Sequence, residues 1–96
     1  MRVDFHPAAL REVEDAQAWY EERSLLAASA FLRGLSVAIQ RIQQTPHRYP
    51  ESEAGTRRLL VERFPFTIHY RATAADTLTI VAVAHQKRRP GYWSGR

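Results

Sequence analysis

The most constraining stretch of this 96-residue chain runs from Leu78 to His85, LTIVAVAH. Its apolar side chains fall on both faces of an extended segment, so neither face is left for water. A strand of that kind suits a central position in a sheet, covered on both sides. The chain then changes character at once: His85, Gln86, Lys87, Arg88 and Arg89 are followed by Pro90, Gly91, Tyr92 and Trp93. A buried strand thus delivers a cluster of cations and two large aromatics to one end, and a rigid strand end can hold polar chemistry in fixed geometry.

The preceding segments supply partners for that strand. From Arg57 to Arg63, Leu59 and Val61 share one face while Arg58, Leu60 and Glu62 share the other. Phe64-Pro65 makes a tight connection. Phe66, Ile68 and Tyr70 then alternate with Thr67, His69 and Arg71, and Ala74-Ala75-Asp76 forms the next turn. Such short connections predict an antiparallel meander.

Upstream the pattern differs. Val3 and Phe5 lie on one face of a short strand over residues 2–6. Pro7 suits the first position of a helix that runs to about Glu22. Leu10, Val13, Ala16 and Tyr20 are its expected buried stripe, with Trp19 beside it. Glu12, Glu14 and Asp15 are expected to favour the positive end of its dipole. Ser24 is a fitting N-cap for a second helix from Leu25 to about Gln44, which Thr45-Pro46 ends. Phe31, Leu35, Ala38 and Ile42 form its main stripe, with Ala28, Leu32 and Ile39 beside it, and this breadth predicts contacts on two sides. Gly34, which costs about 1 kcal/mol relative to Ala in mid-helix, is expected to admit the first helix or a partner. Residues 46–56 read as a loop. The short link between the helices makes them an antiparallel hairpin. The expected fold is one α+β domain over residues 1–96: an N-terminal strand, then an antiparallel helical hairpin packed on a three-stranded antiparallel meander.

Several function classes are excluded or disfavoured. There is no cysteine, hence no disulfide framework. The run Leu78–Ala84 is far short of the roughly 20 apolar residues of a membrane span, and Asp4 and His6 stand where an export signal would be apolar. The expectation is a cytoplasmic protein with no membrane partner. No Gly-rich phosphate loop, HExxH or nucleophile elbow is present. His6, His47, His69 and His85 lack metal-ligand spacing, so neither a metal nor a cofactor is expected. The formal charge of +4 is unevenly placed: residues 57–96 hold eight Lys/Arg against two Asp/Glu, whereas residues 1–56 hold six Arg against eight Asp/Glu. A positive half of this kind attracts polyanions or simply stays solvated.

Arg58, His69 and Arg71 occupy polar strand positions, and His85, Lys87, Arg88 and Arg89 follow the last strand. Histidine exchanges protons near neutral pH, and arginine holds phosphate through a planar fork and stabilises developing charge. Such a set suits metal-independent RNA cleavage through the 2′-hydroxyl, with Arg58 and His85 as the catalytic pair. Arg71, Lys87, Arg88, Arg89, Tyr92 and Trp93 are the candidates for binding a target or nucleic acid. Tyr92 and Trp93 can stack on bases or, alternatively, pin the tail to the core while the arginines stay in water.

The order strand–helix–helix–meander, the segment from Arg58 through Phe64-Pro65-Phe66-Thr67-Ile68-His69-Tyr70-Arg71, and the ending Val83-Ala84-His85-Gln86-Lys87-Arg88-Arg89-Pro90-Gly91-Tyr92-Trp93 resemble the RelE/ParE superfamily over nearly the whole chain. These are small growth-inhibiting toxins of type II toxin–antitoxin modules, often labelled plasmid stabilisation proteins. The resemblance implies a cognate antitoxin that wraps the domain, giving a hetero-oligomer, with Phe31, Leu35, Ala38 and Ile42 as its expected seat. RelE-like members cut mRNA on the ribosome, whereas ParE-like members poison DNA gyrase. Here Thr67 stands where RelE has a strand arginine, Lys87 near its post-strand arginine, and Trp93 where it has a terminal tyrosine. The resemblance is therefore closer to ParE, with a RelE-type endoribonuclease or a stand-alone nucleic-acid-binding module as the alternatives.

Overall fold

A computed structural model describes residues 1–96. The elements are β1 (Arg2–Phe5), α1 (Pro7–Glu21), α2 (Leu25–Gln44), β2 (Arg57–Leu60), β3 (Phe66–Ala74) and β4 (Thr77–His85), with one 3-10 turn at Glu53–Gly55. The local signals act as expected. Pro7 opens α1, and the His6 side chain accepts a hydrogen bond from the Ala8 N–H. Ser24 Oγ caps α2 through the Ala27 N–H at 3.2 Å, and α2 stops at Thr45, one residue before Pro46.

The sheet has four strands in the order β1-β4-β3-β2. β2, β3 and β4 form the antiparallel meander, and β1 adds to β4 in parallel, Arg2 opposite Thr77 and Phe5 opposite Ile80. This places β4 in the interior, as its two apolar faces require. A register shift between His69 and Tyr70 of β3 leaves Val81 as an extra residue on β4. Leu78, Ile80 and Val83 consequently face the helices with Ile68 and Tyr70, while Val81 and Ala82 join Trp93 in a separate cluster.

Three sequence expectations need correcting. Leu10 is 47% exposed, and Ala9 takes its place on the buried face of α1 with Val13 and Ala16. Phe31, Leu35, Ala38 and Ile42 are not free to seat an antitoxin: they are buried in the protein's own core, because α2 turns this stripe onto the sheet. Gly34 does not serve to admit α1; a Cβ there would stand 3.3 Å from Val61 Cγ1, so the glycine lets the segment after β2 lie close to α2. By length and composition α2 resembles a membrane span, but its most apolar stripe is spent on this core.

Candidate functional site

Past Phe5 the sheet has no strand beside β4, so backbone groups of β4 face outward there without ladder partners. Side chains fill the gap. Glu12, reaching across from α1, accepts the Val83 N–H at 3.0 Å. Arg96 donates to the Val81 carbonyl at 3.1 Å and to both carboxylate oxygens of Glu12 at 2.9 and 3.2 Å. Both members of this ion pair are largely buried, at 13% and 17% side-chain exposure. The Tyr92 hydroxyl donates to the same carboxylate. A forked guanidinium–carboxylate pair is the strong form of such a contact, and here it ties α1, β4 and the tail together. Tyr92 is pushed above the usual phenol range, first by burial and then by its bond to Glu12 and that residue's charge, with Arg88 and Arg96 opposing. It stays protonated and donating.

The tail, residues 86–96, has no helix or strand and crosses the outer face of the sheet through turns. Trp93 is 3% exposed, packed with Val81 and Ala82 and with its ring centroid 4.2 Å from that of His69. Arg71 reinforces the crossing, donating to the Arg96 carbonyl at 3.0 Å and the Ala54 carbonyl at 2.8 Å. Gly91 has φ +73°, a left-handed conformation that favours glycine, and it lies against the Glu53 carboxylate of the 3-10 turn.

His69 is buried, and its Nδ1 has no hydrogen-bond partner; Trp93 Nε1 has none either. Burial, and then the charge of Arg58, lower the His69 pKa to about 4, with Glu12 opposing. The imidazole is therefore uncharged at neutral pH.

A shallow cleft of about 230 Å3 opens on this outer face, bordered by Arg58, Glu53, His69, Trp93, Arg88 and Arg89. A larger cavity of about 460 Å3 lies on the helix side, where Glu12, Asp15, Trp19, Phe66, Lys87 and Tyr92 contribute to its walls. His85, at the end of β4, borders both. Its ring packs edge-on against Phe66 at 5.1 Å on the helix side, and its Nδ1 accepts the Lys87 N–H at 3.1 Å. The residue opposite Arg58 in the ladder is His69, not His85. Arg58 and His85 thus project from opposite faces of the sheet.

A family model described as ParE toxin of type II toxin–antitoxin system, parDE, matches residues 3–90. The chain belongs to the ParE toxin family. Among solved structures, a chain of the chromosomal ParDE TA system from P. aeruginosa shares the fold with a TM-score of 0.75 and 18% sequence identity, over 88% of this chain and 95% of that one. No curated protein matches.

On this ParE fold the sequence-derived candidates separate into three groups. Arg58, Arg88 and Arg89 gather at the outer cleft, with Arg88 stacked on Tyr92 at 4.0 Å. Lys87 lines the helix-side cavity, which Arg88 and His85 also border. Arg71, Tyr92 and Trp93 hold the tail and are spent on internal contacts. Two residues were missed as participants: Glu12 and Arg96. Glu12 had a legible signal, since it sits three residues after Ala9 and four before Ala16, on the buried face. A carboxylate there needs a partner; the dipole reading of Glu12, Glu14 and Asp15 fails because α1 starts at Pro7 and has no acid in its first turn, beyond which the dipole effect falls off. Arg96 had no signal, because the tail has no period to read.

Proposed function

We propose that the protein is the toxin of a type II module, acting in the cytoplasm on DNA gyrase or another non-nucleolytic target and held inactive by a cognate antitoxin. The observation that carries the non-nucleolytic reading is the pairing across β2 and β3. The imidazole beside Arg58 is His69, which is buried and uncharged at neutral pH, and the large tail aromatic, Trp93, has no proton to exchange. General acid–base cleavage needs a titrating group within hydrogen-bond reach of the scissile phosphate; His85 reaches only the border of the outer cleft, with its ring packed edge-on against Phe66 and its Nδ1 occupied by the Lys87 N–H. What the outer face offers instead is fixed positive charge on a rigid platform, suited to binding.

For the antitoxin, the surface that supports docking is a groove between α2 and the end of β2. Val37 and Leu60 are 45% and 62% exposed there, beside Phe64 and rimmed by Arg33, Arg41 and Arg63. β2 is an edge strand whose outer side is covered only near Arg57 and Arg58, by Pro50 and Glu51. An extended segment carrying apolar and acidic residues fits that groove and can add to the open edge at Leu59 and Leu60.

The test is to induce the protein and follow incorporation of labelled precursors. Early loss of DNA synthesis is the expected result. Early loss of protein synthesis would move it to the ribosome-directed, RelE-like class. Co-expression with the product of the adjacent small gene should restore growth and yield a complex, and a Leu60→Asp substitution should weaken that complex.

A further inference from the structure

The outer cleft is rich in donors and poor in acceptors. Arg58, Arg88 and Arg89 enter it from β2 and from the tail, and none of the three has a carboxylate within ion-pair distance. Arg58 makes one long contact, 3.5 Å to the Glu51 carbonyl, and Arg88 lies over the Tyr92 ring. Behind them the wall holds the indole N–H of Trp93 and the imidazole of His69, both buried and both with an unpartnered nitrogen. Unsatisfied buried polar groups cost stability, and a cleft that sets the Trp93 N–H and the His69 Nδ1 behind three guanidinium groups without a carboxylate partner is suited to an anionic acceptor. The one acid at its border is Glu53, seated against Gly91 and outside ion-pair distance of every arginine.

We propose that this cleft binds one phosphate group of a phosphodiester chain. Guanidinium forks match the tetrahedral oxygens of phosphate. No aromatic face is free to stack a base, since Trp93 is buried and Tyr92 is covered by Arg88, so recognition is of the backbone and independent of base identity. The inference deepens the function proposed above: its use in the cell rests on that reading, through a target that presents a phosphodiester backbone, whereas the binding rests on the cleft alone.

The test follows the two indole N–H signals by NMR in the whole chain at low salt. The probes are a thymidine dinucleotide, which carries one phosphodiester, and inorganic phosphate. The Trp93 signal should shift with the dinucleotide while that of Trp19, on α1, stays in place. Arg58→Ala and Arg89→Ala, both at exposed positions, should each weaken binding about tenfold, the loss of a charge-assisted contact. Glu53→Gln should tighten it about threefold by removing a like charge. Arg11→Ala on α1, the charge-matched control, should change it less than about twofold, because an exposed distant charge is screened. The proposal is overturned if neither probe moves Trp93, if only inorganic phosphate does, or if Arg11→Ala weakens binding as much as the cleft variants. Growth arrest without cleft binding would leave the toxin reading standing and remove this one; cleft binding without growth arrest would do the reverse.

Discussion

On the helix side of the sheet, Tyr20, Phe31, Phe64 and Phe66 interlock with ring centroids between 5.2 and 5.5 Å apart. Ala9, Val13, Leu35, Ile42, Ile68 and Ile80 complete a large apolar core around them. On the outer side, Trp93 packs on Val81, Ala82 and the His69 ring with Tyr92 beside it; its own Nε1 and the His69 Nδ1 lack partners, and the same face holds a buried ion pair. One side is held by apolar burial, which is non-directional and cumulative. The other is held by a few directional contacts converging on Glu12. The difference teaches where this domain can change: the tail can be released without dismantling the core, whereas a core residue cannot be lost without losing both.

The largest expected effect tests the first half of that comparison. Phe31→Ala should cost about 3–5 kcal/mol, the range for truncating a buried phenylalanine, read as a shift of the denaturant midpoint with the tail and core unfolding together. A cost below about 1 kcal/mol would mean that the core is not where the stability lies.

The next effect belongs to the outer face and is set by pH. His69 binds a proton in the unfolded chain below about pH 6.5 but in the folded chain only near pH 4. The unfolded state therefore holds more protons between these values, and stability falls as the pH is lowered through that window. The expected loss is on the order of 2–3 kcal/mol, measured by denaturant titration from pH 7 to pH 4. His69→Phe should flatten that part of the profile. An unchanged slope in the variant would contradict the burial of this imidazole as the cause.

The smallest effect sharpens the comparison. Trp93→Phe removes an unpartnered buried N–H along with some apolar area, two changes of opposite sign. The net change should stay within about 1 kcal/mol, well below a comparable truncation on the helix side.

The sequence made the element order readable because each segment keeps one period: α2 ends where Ser24 and Thr45-Pro46 say it should, and the meander shows alternation in Phe66–Arg71. What it left hidden is what depends on contacts distant along the chain. Nothing local says that Arg2–Phe5 pairs in parallel with β4, or that the outward-facing groups of β4 beyond Phe5 are satisfied by Glu12 and Arg96 rather than by another strand. The stripe Phe31, Leu35, Ala38, Ile42 was legible as apolar, but a stripe does not announce whether its partner is the same chain. Arg58 and His85 were both visible as candidates, yet only the ladder register, with Arg58 opposite His69 and His85 opposite Phe66, starts them on different faces, so that His85 reaches the outer cleft only at its border.

The division between a core that carries the fold and a tail-covered face that we propose carries function is tested most directly by Glu12→Gln. Removing this carboxylate's charge leaves Arg96 largely buried without an ionic partner and weakens the anchor of Tyr92, at a local cost of about 3–5 kcal/mol. Hydrogen exchange should show the tail amides, residues 86–96, losing protection while α2 and β3 keep theirs. Induced in cells, this folded but unlatched variant should no longer arrest growth where the parent does. Growth arrest at the parent's level, with the tail demonstrably released and the core intact, would contradict the account.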